Sequence, residues 1–212
     1  MNISKKDLRL YAVTDRAWLG GRTLIDCVGE AIDGGATFIQ IREKTLGFDE
    51  FLHEAKEISA LCRKRNVKCV INDNAEIAVR CGADGVHVGQ SDISVSKARK
   101  MLGDGAVIGA TVKTLDQAIR ARDEGADYLG VGAVFNTGTK LDTAVISHDL
   151  LREICEKSAL PVVAIGGINA ENLNQLKGIG ISGIAVVSAI FASADVRAAA
   201  AELNEKLNEI II

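Results

Sequence analysis

The run FIQIREK, residues 38–44, sets Gln40, Arg42 and Lys44 at alternate positions between apolar neighbours. Alternate side chains of a strand share a face, so an amide and two cations point one way, as a site for a bound anion would require. INDN supplies Asn72 and Asp73, and GQSD supplies Asp92. Two carboxylates at neighbouring strand ends can share a hard cation. Oxygen donors with no His or Cys beside them suit Mg²⁺, completed by water and a substrate phosphate, and do not suit zinc. FNTGTK brings Thr137, Thr139 and a third cation, Lys140, without the spacing of a P-loop. AIGGIN places Gly166 and Gly167 ahead of a helix expected to begin near Asn169, and VVSAI places Ser188 at the start of another. Backbone N–H groups at such points bind phosphate. A polycationic, metal-dressed site suits a diphosphate and a site of neutral amides suits a monophosphate. Together they suggest a transferase joining a diphosphate-activated fragment to a phosphorylated acceptor.

The elements that must position these residues repeat along the chain. Short β-branched runs, among them LRLYAVT, TFIQIR, KCVIN, DGVHVG, AVIGAT, DYLGVG, PVVAIG and SGIAVVS, alternate with amphipathic stretches such as FDEFLHEAKEISALCRKRN, LDQAIRARDEG and SHDLLREICEKS. DGGATF, RCGADG and DEGADY mark three passages from helix to strand, each with a glycine to end the helix. Eight strands, each followed by a helix, predict one compact parallel (β/α)8 barrel over residues 1–212, an α/β fold. An open doubly wound sheet is the alternative. It calls for a G-x-G-x-x-G turn after the first strand, and AVTDRAWLGG does not provide one. In a barrel the chemistry sits where strands run into loops, and every residue named above falls at such a point.

Bulk properties restrict the partners. The 212 residues carry a net charge of −3, so no global basic surface offers itself to nucleic acid. The longest apolar stretch, IGISGIAVVSAIFA, is too short for a membrane span. Five cysteines without C-x-x-C spacing, and an N-terminus without an apolar core, predict free thiols and a cytoplasmic protein. Whether the chain forms a homo-oligomer is left open by the sequence.

Each polar residue has a plainer reading. Lys44 alone reads as a solvated lysine, Arg42 as half of a structural ion pair, and the Asp and Asn residues as caps or turns. His87, inside GVHVG, reads as a packed interior histidine, and His53 and His148 as residues on helix faces. Two carboxylates could also be a glycosidase pair, although clustered cations serve an anion better than a neutral sugar. The coincidence of all these groups at strand ends favours a site.

LYAVTD, QIREK, INDN, GVHVGQSD, TGTK, AIGGI and VVSAI, in this order and over nearly the whole chain, resemble the motifs of the thiamine phosphate synthase family. The resemblance implies a transferase of thiamine biosynthesis. It would condense 4-amino-5-hydroxymethyl-2-methylpyrimidine diphosphate with hydroxyethylthiazole phosphate, or its carboxylated form. The products would be thiamine phosphate and pyrophosphate, with CO₂ from the carboxylated form, by Mg²⁺-assisted dissociative substitution. It further implies that Gln40, Arg42, Lys44, Asn72, Thr111 and Lys140 hold the pyrimidine diphosphate, with Arg42, Lys44 and Lys140 catalytic. Asp73 and Asp92 would hold Mg²⁺, and Thr137, Thr139, Gly167, Val187 and Ser188 the thiazole phosphate. Thr111 stands where the family commonly has serine, and Asn136 where it commonly has proline. Rival readings are a thiazole tautomerase on the same architecture, a phosphate-handling isomerase or aldolase using Lys44 or Lys140, and a ligand-binding regulator.

Overall fold

A computed structural model describes residues 3–136 and 145–211. Eight parallel strands close into a barrel in sequence order. They are β1 Leu10–Val13, β2 Phe38–Ile41, β3 Lys68–Asn72, β4 Gly85–Val88, β5 Val107–Val112, β6 Tyr128–Gly132, β7 Val162–Ile165 and β8 Gly183–Val186. β8 returns to β1 with Leu10 opposite Ile184. The helices are α1 Leu24–Asp33, α2 Phe48–Lys64, α3 Ala75–Cys81, α4 Val95–Leu102, α5 Leu115–Asp123, α6 His148–Lys157, α7 Ser188–Phe191 and α8 Val196–Leu207. The expected (β/α)8 barrel is therefore the fold, and each predicted strand is present.

Local chemistry explains the boundaries. Thr23, Asn74, Ser94, Thr114, Ser147 and Asp195 each accept a hydrogen bond from an N–H of the first turn of the helix that follows, which satisfies donors that have no partner inside the helix. One expectation fails. No α-helix begins near Asn169. Asn169 Oδ1 accepts from the N–H groups of Glu171 and Asn172, and Asn172 Oδ1 accepts from Asn169 N–H. These local side-chain bonds compete with helical ones, and only a 3-10 turn, Leu173–Leu176, follows β7.

Two apolar cores result. The larger lies between barrel and helices and includes Ile39, Ile71, Val86, Ile108 and Leu129 from outward-facing strand positions. The smaller fills the barrel itself. Tyr11, Phe38 and Tyr128 meet there edge to face, with ring centres 4.6 to 6.0 Å apart, alongside Val70, Val107 and Val163. This aromatic plug is the floor on which the strand ends stand.

Candidate active site

Above the plug a cavity of about 200 Å³ opens at the C-terminal ends of the strands. Gln40, Asn72 and Thr111 line it from β2, β3 and β5, Arg42 from the loop after β2, and Gly166, Gly167, Val187 and Ser188 from just beyond the ends of β7 and β8. Residues expected for both anion sites thus line one chamber. Lys44, Asp73 and Asp92 form a cluster that does not line this cavity: Lys44 pairs with Asp73, Asp73 meets Asp92, and Asp92 lines a second pocket with Gly89, Gln90 and Gln117. Thr137, Thr139 and Lys140 lie outside the described residues.

β2 ends at Ile41, so Arg42 and Lys44 are loop residues that something else must hold. Thr14 does part of this work: its hydroxyl accepts from Arg42 N–H at 2.9 Å and donates to Arg42 C=O at 3.3 Å. Glu43 does the rest. Its side chain is only 3 % exposed and takes Arg16 Nε at 2.8 Å, the N–H groups of Lys44 and Thr45 at 2.6 and 2.7 Å, and the Thr45 hydroxyl at 2.9 Å. Burial pushes the Glu43 carboxyl up, but Arg16 and the loop donors outweigh it and bring it down to about 2. Arg16 is itself anchored by both oxygens of Glu54 on α2. Arg42 keeps one loose partner, Asp15 Oδ2 at 3.4 Å. Nothing in the local pattern marks Glu43, Arg16 and Glu54 as a clamp, because they are distant in sequence.

The metal candidates are adjacent. Asp73 adopts φ 64°, a left-handed conformation that Asp tolerates better than most residues. Its Oδ2 accepts from Lys44 Nζ at 2.7 Å and Asn72 Nδ2 at 2.6 Å. Burial alone would raise the Asp73 carboxyl, yet hydrogen bonds from Lys44, Asp92 and Asn72 hold it below the usual range. Asp92 is shifted the other way, raised by burial and by Asp73, against a hydrogen bond from Gly89 N–H at 2.8 Å. Opposite shifts are what two neighbouring acids give when each disfavours the other's charge. The donor set is oxygen only, and it fits a hard divalent ion. Among the described residues no group of three or more His, Cys, Asp or Glu side chains is placed to hold a metal.

On the other side of the ring Gly166 and Gly167 take φ 101° and 67°. A Cβ on Gly166 would strike Ala133, and one on Gly167 would strike the carbonyl oxygen of Asn136. Glycine is required here by both conformation and space. The result is bare backbone facing the cavity beside Val187 and Ser188.

The structure also adds side chains that the sequence reading did not place in the site. Tyr11, His87 and Lys113 line the cavity. His87 is an interior residue, as its flanking valines and glycines suggested, but its ring reaches the site: Nε2 lies 2.8 Å from Thr111 Oγ1.

A (β/α)8 barrel whose strand ends surround one chamber, with arginine and lysine on one side and bare glycine backbone on the other, is the class that this geometry defines. The family profile described as thiamine monophosphate synthase matches residues 10–190. The chain belongs to that family. It is 46% identical over 209 residues to the thiamine-phosphate synthase of Ruminiclostridium cellulolyticum, covering 99% of this chain and 98% of that one. It is 46% identical over 192 residues to that of Clostridioides difficile, covering 91% of each chain. A solved thiamine phosphate pyrophosphorylase from Pyrococcus furiosus superimposes with a TM-score of 0.91 at 38% identity, covering 98% of this chain and 99% of that one.

Proposed function

We propose that this chain, acting as a single barrel domain, is a thiamine-phosphate synthase. It condenses 4-amino-5-hydroxymethyl-2-methylpyrimidine diphosphate with the thiazole phosphate, releasing pyrophosphate. The observation that carries this reading is one cavity with a side lined by Arg42, Lys113, Gln40 and Asn72 and a side lined by Gly166 and Gly167, in a chain that belongs to this family. The first side suits a leaving diphosphate and the second the phosphate of an acceptor.

Gln40, Asn72 and Thr111 hold the pyrimidine diphosphate with its diphosphate turned toward Arg42, Lys44 and Lys140. Gly167, Val187 and Ser188, with Thr137 and Thr139, hold the thiazole phosphate. Asp73 and Asp92 are the residues that would hold Mg²⁺, which supplies charge neutralisation for the departing pyrophosphate. The bond from the pyrimidine methylene to the diphosphate oxygen breaks, and its electron pair leaves with pyrophosphate. The electron-rich aminopyrimidine carries the resulting cation until the thiazole nitrogen attacks. That nitrogen already has a lone pair, so no protein nucleophile and no base to deprotonate it are needed. The protein's contribution is to place two substrates and to stabilise charge on the leaving group. All five cysteines are free, which suits a reducing compartment such as the cytoplasm. No helix among the described residues is long and apolar enough to cross a membrane.

The test is direct. Purified protein is incubated with both substrates, with and without Mg²⁺, and thiamine phosphate is measured. Formation of product only when both substrates and Mg²⁺ are present is expected. Absence of product from folded, metal-supplied protein overturns the reading.

A further inference from the structure

A chain of hydrogen bonds crosses the barrel beneath the cavity. Gln40 Nε2 meets the hydroxyl of Tyr11, and Tyr11 Oη lies 2.9 Å from Tyr128 Oη. Tyr128 Oη lies 2.9 Å from His87 Nδ1, and His87 Nε2 lies 2.8 Å from Thr111 Oγ1. The five side chains come from β2, β1, β6, β4 and β5. Tyr11 and Tyr128 are 1% and 0% exposed. The edge-to-face packing with Phe38 fixes both rings. Room for the middle of the chain is made by Gly109, where a Cβ would collide with the Tyr128 ring and with His87 Nδ1. Burial pushes both phenols upward, so each keeps its proton.

A neutral phenol has one proton to donate, and a neutral imidazole has one N–H and one acceptor nitrogen. With His87 neutral, the chain is directional, with two self-consistent states. In one, Gln40 N–H donates to Tyr11, Tyr11 to Tyr128, Tyr128 to His87 Nδ1, and His87 Nε2–H to Thr111. The Thr111 proton is then free to donate into the cavity, and Gln40 shows its carbonyl oxygen and one remaining N–H. In the other, every bond is reversed. Thr111 has then spent its proton on His87, and Gln40, with its amide turned over, shows only N–H donors.

We propose that the Tyr11–Tyr128–His87 chain is a polarity relay that makes Gln40 and Thr111 act as one recognition unit for the pyrimidine diphosphate, with Tyr128 and His87 as positioning residues. This rests on the placement of Gln40 and Thr111 against that substrate. A diphosphate oxygen only accepts, so Thr111 must donate to it. An aminopyrimidine edge offers an amino donor beside a ring-nitrogen acceptor, so Gln40 must show both a carbonyl and an N–H. The two demands arise on different strands, yet both select the same state of the chain. Binding at either end prepares the other, with His87 held as the neutral Nε2–H tautomer. Thiazole phosphate, on the far side of the ring, makes no such demand.

Calorimetry with each substrate separately, on folded variants, tests the relay. Gln40→Ala and Thr111→Val examine the underlying placement, and both are expected to weaken pyrimidine diphosphate. Parent-like affinity in both would sink that placement and the relay with it. Tyr128→Phe removes one hydroxyl that does not line the cavity. It should weaken pyrimidine diphosphate by roughly fivefold to tenfold and change thiazole phosphate by less than about twofold. If Gln40→Ala and Thr111→Val lose affinity while Tyr128→Phe does not, or if Tyr128→Phe weakens both substrates equally, the placement stands and the relay falls. Should Tyr128→Phe fail to fold, nitrogen-15 NMR of His87 in the parent protein, saturated with pyrimidine diphosphate, decides alone. The neutral Nε2–H tautomer is expected. The Nδ1–H tautomer or an imidazolium overturns the proposal.

Discussion

Lys44 and Asp73 meet across the ends of neighbouring strands, Nζ 2.7 Å from Oδ2, with half of the lysine side chain exposed. An ion pair so open to water adds little to stability. Its effect is local: if Lys44 meets the substrate and Asp73 the metal, as proposed, the two neutralise each other until ligands arrive. Diphosphate and a divalent ion, arriving together, give each of them a better partner than the other.

Asp92→Ala is expected to lower turnover on the order of 10²-fold or more while leaving the fold intact, because Asp92 is an exposed loop residue and supports no core. Steady-state rates over a Mg²⁺ titration, paired with thermal unfolding, check this. Parent-like activity at ordinary Mg²⁺ would remove Asp92 from the metal site.

Replacement of Lys140 by alanine should reduce kcat on the order of 10²–10³-fold, with a small effect on the KM for thiazole phosphate. The charge that it is proposed to meet grows as pyrophosphate leaves. Normal kcat with a raised thiazole KM would move Lys140 to the other site.

Ser188→Asp puts a carboxylate against the glycine-lined phosphate site. Thiazole phosphate binding should fall sharply, with pyrimidine diphosphate binding largely kept. Equal loss of both ligands in calorimetry would show that the two sites are not separate.

The Glu43 clamp predicts an acid-sensitive loop. Its carboxyl lies at about 2 in the folded protein against 4.5 for the ordinary group. The folded value is depressed, so its stabilisation is fully present above about 4.5 and is lost as pH falls toward 2. Glu43→Gln should lower stability at neutral pH by on the order of 2 kcal/mol and flatten the acid limb between those two values. Denaturant unfolding across pH measures both. An unchanged acid limb would show that the clamp is not the titrating element.

Much of this was legible in the sequence, and particular residues show where legibility ended. KCVIN is a strand from end to end, because β-branched residues there match the pleat. Gly166–Gly167 and Val187–Ser188 line the cavity, since loops after the last two strands of a barrel have a fixed place. The helix anticipated at Asn169 was lost to asparagine side chains that bond their own backbone. Tyr11 and Tyr128 escaped notice because both faces of a barrel strand are buried. Alternation then shows two faces but not which one points inward. The Arg16–Glu43–Glu54 clamp joins residues far apart in the chain, and no local pattern announces such a meeting.

The pairing of Leu10 with Ile184 sets an order in time. β1 is among the earliest parts of the sheet to leave the ribosome, and its second neighbour, β8, is among the last. Through most of synthesis the growing sheet has two bare edges, each a row of unpaired N–H and C=O groups that another chain can join. The finished barrel has none. The chain is therefore most prone to stick to its own kind while it is being made, and slow decoding between β7 and β8 would prolong that exposure without altering a residue of the product.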